Sequence, residues 1–285
     1  MAFGPLAPVS DQAQAGVVVY PGGRAVKASL VVEAVGGPTL LIEIGGLRLL
    51  TDPTFDPPGS YPVGRRMLTK TAPPAIDRNA IGRVDMVLLS HDQHPDNLDH
   101  GGRELLSLVP LVLTTPVAVT RLLGGRGLAP WQEISVGRPD GSMLDVVAVP
   151  ARHGPDGTEH LTGPVTGFVL SADDLPTVYI SGDNASLDVV DMIVERFPTV
   201  DVALIFAGAA QTALLGDAYL TLTGVQTAEA ARRLGARWVV PAHFNSWSHY
   251  SEGADQISAA FAAASLADRL VLLTPGERFE LPPWA

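Results

Sequence analysis

The 285 residues are 46% hydrophobic and only 17% charged, a composition that buries a sizeable core and excludes disorder as a description of the whole chain. A formal net charge of -11 opposes a phosphate backbone and argues against nucleic acid as the main partner. Cysteine is absent, which removes disulfides, thiolate metal sites and cysteine nucleophiles together and leaves nitrogen and oxygen as the only metal ligands.

Residues 1–15, with Pro5 and Pro8 and few apolar anchors, are expected to form a surface arm. They lack the basic stretch, apolar core and small-residue cleavage site of a signal peptide. No apolar run reaches the roughly 18 residues of a membrane span, and a cytoplasmic location is expected. Short β-rich runs follow at 17–20, 28–32, 39–44 and 47–50, with Gly45-Gly46 read as a tight hairpin turn. The stretch 53–74, rich in Pro and Gly, fits neither the helical nor the strand period and is read as an irregular loop of the kind that frames active sites. Beyond it strands alternate with helices: strands at 84–90, 111–114, 144–149, 167–170, 177–181 and 202–206, helices at 101–108, 116–123 and 187–197. The segment 224–234 has the best-marked helix ends, with Thr223 as N-cap, Gln226 completing a capping box and Gly235 after the last turn. It feeds a strand at 237–240. Ile257, Phe261 and Leu266 recur at near-helical spacing and are read as core. No linker divides the chain, so residues 1–285 are expected to form a single domain of class α/β.

Several apolar strands run directly into a potential metal ligand. Leu49-Leu50-Thr51 leads to Asp52, Val87-Leu88-Leu89-Ser90 to His91 and His94, and Val147-Ala148-Val149-Pro150 to His153. Val178-Tyr179-Ile180-Ser181-Gly182 leads to Asp183, and Trp238-Val239-Val240-Pro241-Ala242 to His243. In open α/β sheets the carboxyl ends of strands are where ligands bind. The densest segment is Ser90-His91-Asp92-Gln93-His94-Pro95-Asp96-Asn97-Leu98-Asp99-His100. Imidazole and carboxylate without thiol suit zinc, manganese or iron, and a cation so held brings the pKa of bound water to about 7, which is what a hydrolase needs. Each piece also has a plain structural reading. The dense segment could cap the helix near Gly101, Asp183-Asn184 could be an Asx turn, and Asp52 serves either to orient a ligand imidazole or simply to end a strand. There is no phosphate-cradling loop, Gly-x-Ser-x-Gly elbow or dinucleotide fingerprint.

Taken together, Ser-His-Asp-Gln-His-Pro-Asp-Asn, Ala-Arg-His153, Ser-Gly-Asp183 and Pro-Ala-His243 resemble the metallo-β-lactamase superfamily, whose pattern is His-x-His-x-Asp-His followed by His, Asp and His. Leu50-Thr51-Asp52-Pro53 and Leu273-Thr274-Pro275-Gly276-Glu277 narrow this to the branch resembling ascorbate-6-phosphate lactonase and N-acylphosphatidylethanolamine phospholipase D-like hydrolases. The resemblance covers residues 28–281 and implies a four-layer αββα sandwich of two mixed β-sheets flanked by helices. It implies one metal position on His91, His94 and His153 and a second on Asp96 and His243, with Asp183 bridging. One or two divalent transition ions (zinc, manganese or iron) would then supply a metal-bound hydroxide to a small lactone-like carbonyl or phosphoester substrate. In that chemistry Asp96 orients or deprotonates the water, and His243 binds the second ion or assists the leaving group.

Three departures stand out. An extra residue separates His91 from His94, which leaves His91 and Asp92 both open as the first ligand. Asn97 stands where the pattern has its last His, implying a weaker or empty second position, and Gly37 stands where this branch reads His. The same departures support a second reading, a metal-depleted relative that binds a small molecule without turnover. His100 and His160 are read as surface residues, while His249, beside Asn245, Trp247 and Tyr250, is a candidate to line the substrate cleft. A homo-oligomer is compatible with all of this.

Overall fold

The computed structural model describes residues 30–122 and 124–282. The arm expected over 1–15 and the strand expected at 17–20 lie outside the described residues.

Runs such as Leu40-Leu41-Ile42 and Val146-Val147-Ala148-Val149 are apolar at every position, which suits strands covered on both faces. The chain opens with the antiparallel strands β1 (Leu30–Gly36), β2 (Thr39–Ile44) and β3 (Leu47–Thr51). Gly45 and Gly46, at φ +55° and +82°, close the two-residue turn between β2 and β3, a geometry that requires positive φ at both central positions. Next come β4 (Gly59–Val63) and β5 (Arg66–Lys70), paired as a separate two-stranded sheet. The irregular loop expected over 53–74 is thus corrected: Gly64, at φ +58°, begins a second two-residue turn with Arg65.

The chain then adds β6 (Met86–Leu88), α1 (His100–Leu106), β7 (Leu111–Thr114), α2 (Pro116–Val119) and β8 (Arg126–Gly127). Strands β6, β7 and β8 continue parallel from β3. The helix expected at 116–123 shrinks to one turn, and residue 123 lies outside the described residues. A second sheet begins with β9 (Glu133–Gly137) and β10 (Met143–Pro150). After α3 (Glu159–Thr162) come β11 (Thr166–Ala172), β12 (Leu175–Ile180), α4 (Leu187–Arg196) and β13 (Val202–Phe206). Then α5 (Gly224–Leu234), β14 (Trp238–Ala242), α6 (Ala254–Ala263), a 3₁₀ turn (Ala267–Arg269) and β15 (Arg278–Glu280) complete the elements. The first sheet has the order β15-β1-β2-β3-β6-β7-β8 and the second β14-β13-β12-β11-β10-β9. Both are mixed.

Side-chain alternation sorts the apolar residues into layers. Ile42, Leu49 and Met86 of the first sheet meet Val146, Phe168 and Leu204 of the second in a central core. Val147, Tyr179 and Ile205 turn the other way and pack on Val190 of α4, Ala231 of α5 and Phe261 of α6. On the far side, Leu41, Leu50 and Val87 pack on Leu98 and on Leu105 of α1. The result is the four-layer αββα sandwich, and Ile257, Phe261 and Leu266 belong to its core as expected. Among the described residues no helix is long and apolar enough to cross a membrane.

The topology also positions the site. Strands β3 and β6 run parallel. Two antiparallel steps, β10 to β11 to β12, bring β10 into the direction of β12, β13 and β14. The strands that precede Asp52, His91, His153, Asp183 and His243 therefore deliver these residues at carboxyl ends along one edge of the sandwich.

Candidate metal centre

His91, His94, His153 and Asp183 converge, each offering one ligand atom within 4.8 Å of the others, and Asp96, Asp183 and His243 do the same. Asp183 belongs to both groups. His91 Nε2 lies 3.0 Å from His94 Nδ1, which lies 3.4 Å from His153 Nε2. The outward ring nitrogens of His91 and His153 have partners of their own. The Ser90 hydroxyl donates to Asp52 Oδ2 at 2.7 Å, so at 2.9 Å it accepts from His91 Nδ1. His153 Nδ1 donates to the Leu220 carbonyl at 2.9 Å. These contacts fix the tautomers and leave bare Nε2 lone pairs facing the centre. Burial, then the neighbouring imidazoles, holds His91 well below 6.5 and His153 at about 3; burial likewise lowers His94 and His243. A neutral His94 with its proton on Nδ1 can donate to only one of His91 Nε2 and His153 Nε2 at a time, so a lone pair of His91 or His153 is left facing the centre.

In the second group His243 Nε2 is 3.2 Å from Asp96 Oδ2 and 3.5 Å from Asp183 Oδ1. Its ring stacks on Phe206 at 4° between planes. Burial would raise Asp96, but the imidazoles of His249 and His243 outweigh it and hold the carboxyl well below its usual range. Burial raises Asp183, with Asp96 and Asp52 adding to the effect, and raises Asp52 to about 7 against its hydrogen bonds. Asp96 Oδ1 and Asp183 Oδ2 are buried without a hydrogen-bond partner among the described residues. Three buried carboxyls, two orphaned oxygens and a ring of bare imidazole nitrogens form a donor set that fits a divalent transition ion.

The choice left open between His91 and Asp92 has a geometric answer. Asp92 turns away to Arg121, 2.8 Å from Nε, and to Arg103, whereas His91 faces the centre. Helix capping falls to Asp99, whose Oδ1 accepts from Gly102 N at 2.8 Å and whose Oδ2 meets buried Lys70 at 3.2 Å. Asp96 is thereby left free for the centre. Asn97 gives both amide hydrogens to carboxylates, at 3.1 Å to Asp52 Oδ2 and 3.1 Å to Asp183 Oδ1. Asp52 thus orients His91 through Ser90 and Asn97 directly. The Asx turn beside Asp183 is made by Asn184, whose Oδ1 accepts from Ser186 N at 3.2 Å. Gly37 does structural work: its carbonyl accepts from His243 N at 2.8 Å, and a Cβ there would meet Trp247 at 3.2 Å.

His100 is exposed and paired with Asp56, and His160 is an exposed residue of α3. His249 borders the cleft, its Nε2 3.0 Å from Asp96 Oδ2. The cleft, about 470 Å³ including its mouth, is walled by Val63, Leu68, Leu161, Leu214 and Leu215, with Arg66 among them. Sequence reasoning missed Arg66, whose guanidinium reaches across from β5 to the Thr212 hydroxyl. Only the hairpin could have signalled it.

The family model described as a beta-lactamase superfamily domain matches residues 47–244. A UPF0173 metal-dependent hydrolase of Pyrococcus abyssi is 26% identical over 199 residues, 70% of this chain and 82% of that protein. The isothiocyanate hydrolase from Delia radicum gut bacteria aligns at a TM-score of 0.74 and 20% identity, over 89% of this chain and 100% of that one. Igni18, a metallo hydrolase from Ignicoccus hospitalis, aligns at 0.67 and 19%, over 90% and 100%.

Proposed function

The chain belongs to the beta-lactamase superfamily and is a metal-dependent hydrolase, and from that premise we propose that it cleaves a small lactone-like carbonyl or phosphoester substrate at this centre. The ion is zinc, manganese or iron, on His91, His94, His153 and Asp183, with a second position on Asp96, Asp183 and His243. The observation that carries the reading is the convergence of His91, His94, His153 and Asp183, with one ligand atom from each within 4.8 Å of the others.

When bound, such an ion acidifies water and polarises the scissile group. The chain's own residues do the rest. Asp96, kept ionised by His243 and His249, orients the attacking water through Oδ1, which has no hydrogen-bond partner among the described residues. His243, whose Nε2 is 3.2 Å from Asp96 Oδ2, would hold the second ion or assist the departing oxygen. Asp52 and Ser90 hold the His91 ring in register. The leucine-rich wall and its narrow cleft favour a small substrate with an apolar body, and Arg66 favours one that bears an anionic group.

The test is metal analysis by mass spectrometry together with hydrolysis of a lactone and phosphodiester panel, on wild type and on a variant carrying His94→Ala and His153→Ala. Loss of metal and at least a hundredfold loss of turnover is expected. Undiminished hydrolysis by the double variant would end the reading.

A further inference from the structure

We propose that His249 is the ligand that completes the second metal position, in the place that Asn97 cannot fill. The inference rests on the metal-centre reading above and adds a residue to it.

Asn97 is committed elsewhere. Both amide hydrogens are held by carboxylates, and its Oδ1 is buried without a partner among the described residues. A neutral amide oxygen is also a poorer donor than imidazole to a transition ion. Without Asn97 the second position has three ligand atoms, from Asp96, Asp183 and His243, one fewer than the four that converge at the first.

His249 is the remaining imidazole at that position. Its Nε2 sits 3.0 Å from Asp96 Oδ2, on the same oxygen that His243 Nε2 approaches at 3.2 Å. Ligand atoms about 2.0–2.2 Å from one tetrahedral ion lie about 3.3–3.6 Å apart, so this contact needs to open only slightly when both groups bind. The His249 Nδ1 is buried and unpartnered among the described residues, so of its two ring nitrogens only Nε2, on Asp96, fixes the ring's turn by a hydrogen bond. The ring packs 4.5 Å from Tyr250 and 6.4 Å from Trp247 and faces the cleft.

One distance sets the movement required. Ring centroids in the first trio are 4.9–5.2 Å apart, whereas His243 and His249 are 6.4 Å apart. His249 must therefore swing in by more than an ångström. Its side chain is 15% exposed, and the open cleft on one side gives it that freedom.

Metal-free protein titrated with Co²⁺ tests this, with stoichiometry by mass spectrometry and coordination by visible absorption. Wild type is expected to take two ions. His249→Ala is expected to keep the first and bind the second at least tenfold more weakly, with a changed spectrum. Adding Asn97→His to His249→Ala is expected to restore it, by returning an imidazole from the opposite wall. Two ions bound by His249→Ala with wild-type affinity and spectrum would overturn this inference alone. A loss that Asn97→His does not repair would mean that the ring shapes the loop and does not ligate, and would overturn it too. One ion in wild type, lost in His94→Ala, would overturn it while sparing the hydrolase. No ion in wild type would overturn the metal-centre reading itself.

Discussion

Asp52 and His243 are held at φ +29° and +58°, where a non-glycine residue costs of the order of 1 kcal/mol or more and persists only if its surroundings demand it. Both demands are visible. Asp52 accepts from Ser90 N, Ser90 Oγ and Asn97, and His243 gives its amide to Gly37. Ser90 is thus the hinge of a chain from Asp52 to the His91 ring. Ser90→Ala should weaken metal affinity about 10- to 100-fold, measured by competition with a chromophoric chelator, with the fold intact by circular dichroism. Unchanged affinity would mean that His91 needs no such guide. The residue types and their order at strand ends were legible in the sequence because ligand chemistry admits so few side chains. Which of His91 and Asp92 faces inward was not, since an inserted residue in a loop has no period to follow. Arg121 and Arg103, which draw Asp92 away, are remote in sequence.

Local chemistry explains which elements could be read. Helix α5 begins with the expected capping box between Thr223 and Gln226 and ends at Gly235 with φ +66°, because caps are short-range hydrogen bonds written in adjacent residues. The β4–β5 hairpin escaped because Pro62 and half-exposed residues blur its alternation. The Gly64-Arg65 pair was the available signal. Helix α1 shows how tightly an element is fitted to the site. A Cβ on Gly102 would fall 1.9 Å from the Pro53 carbonyl oxygen, directly after Asp52. Gly102→Ala should therefore cost about 1–3 kcal/mol and lower metal affinity by displacing the 52–53 segment. Thermal unfolding of the metal-free variant and a chelator titration check both effects. An unshifted melting temperature would show that α1 gives way easily.

At the scale of the molecule, layering was legible because strands apolar on both faces need cover on both sides. The same burial sets a pH dependence. His91, His94, His153 and His243 are all held below 6.5, so on acidification the unfolded chain takes up protons that the folded one refuses. Their contribution to stability is present above pH 6.5 and is lost as the pH falls towards about 3, the value for His153. Asp52, raised to about 7, and Asp183 act in the opposite sense, losing stability as the pH rises, but they are outnumbered. Chelated protein should accordingly unfold at lower urea at pH 5.0 than at pH 7.5. A higher midpoint at pH 5.0 would show that the carboxyls dominate.

The candidate ligands are also divided between the sheets: His91, His94 and Asp96 follow the first, while His153, Asp183 and His243 follow the second. Contacts such as His249 with Asp96 join positions 153 apart. An ion offered to the unfolded chain meets only the local neighbours His91, His94 and Asp96, a set with little preference among transition metals. Discrimination between metals must therefore arise late in folding, when the docked sheets impose a coordination geometry that the local motif lacks.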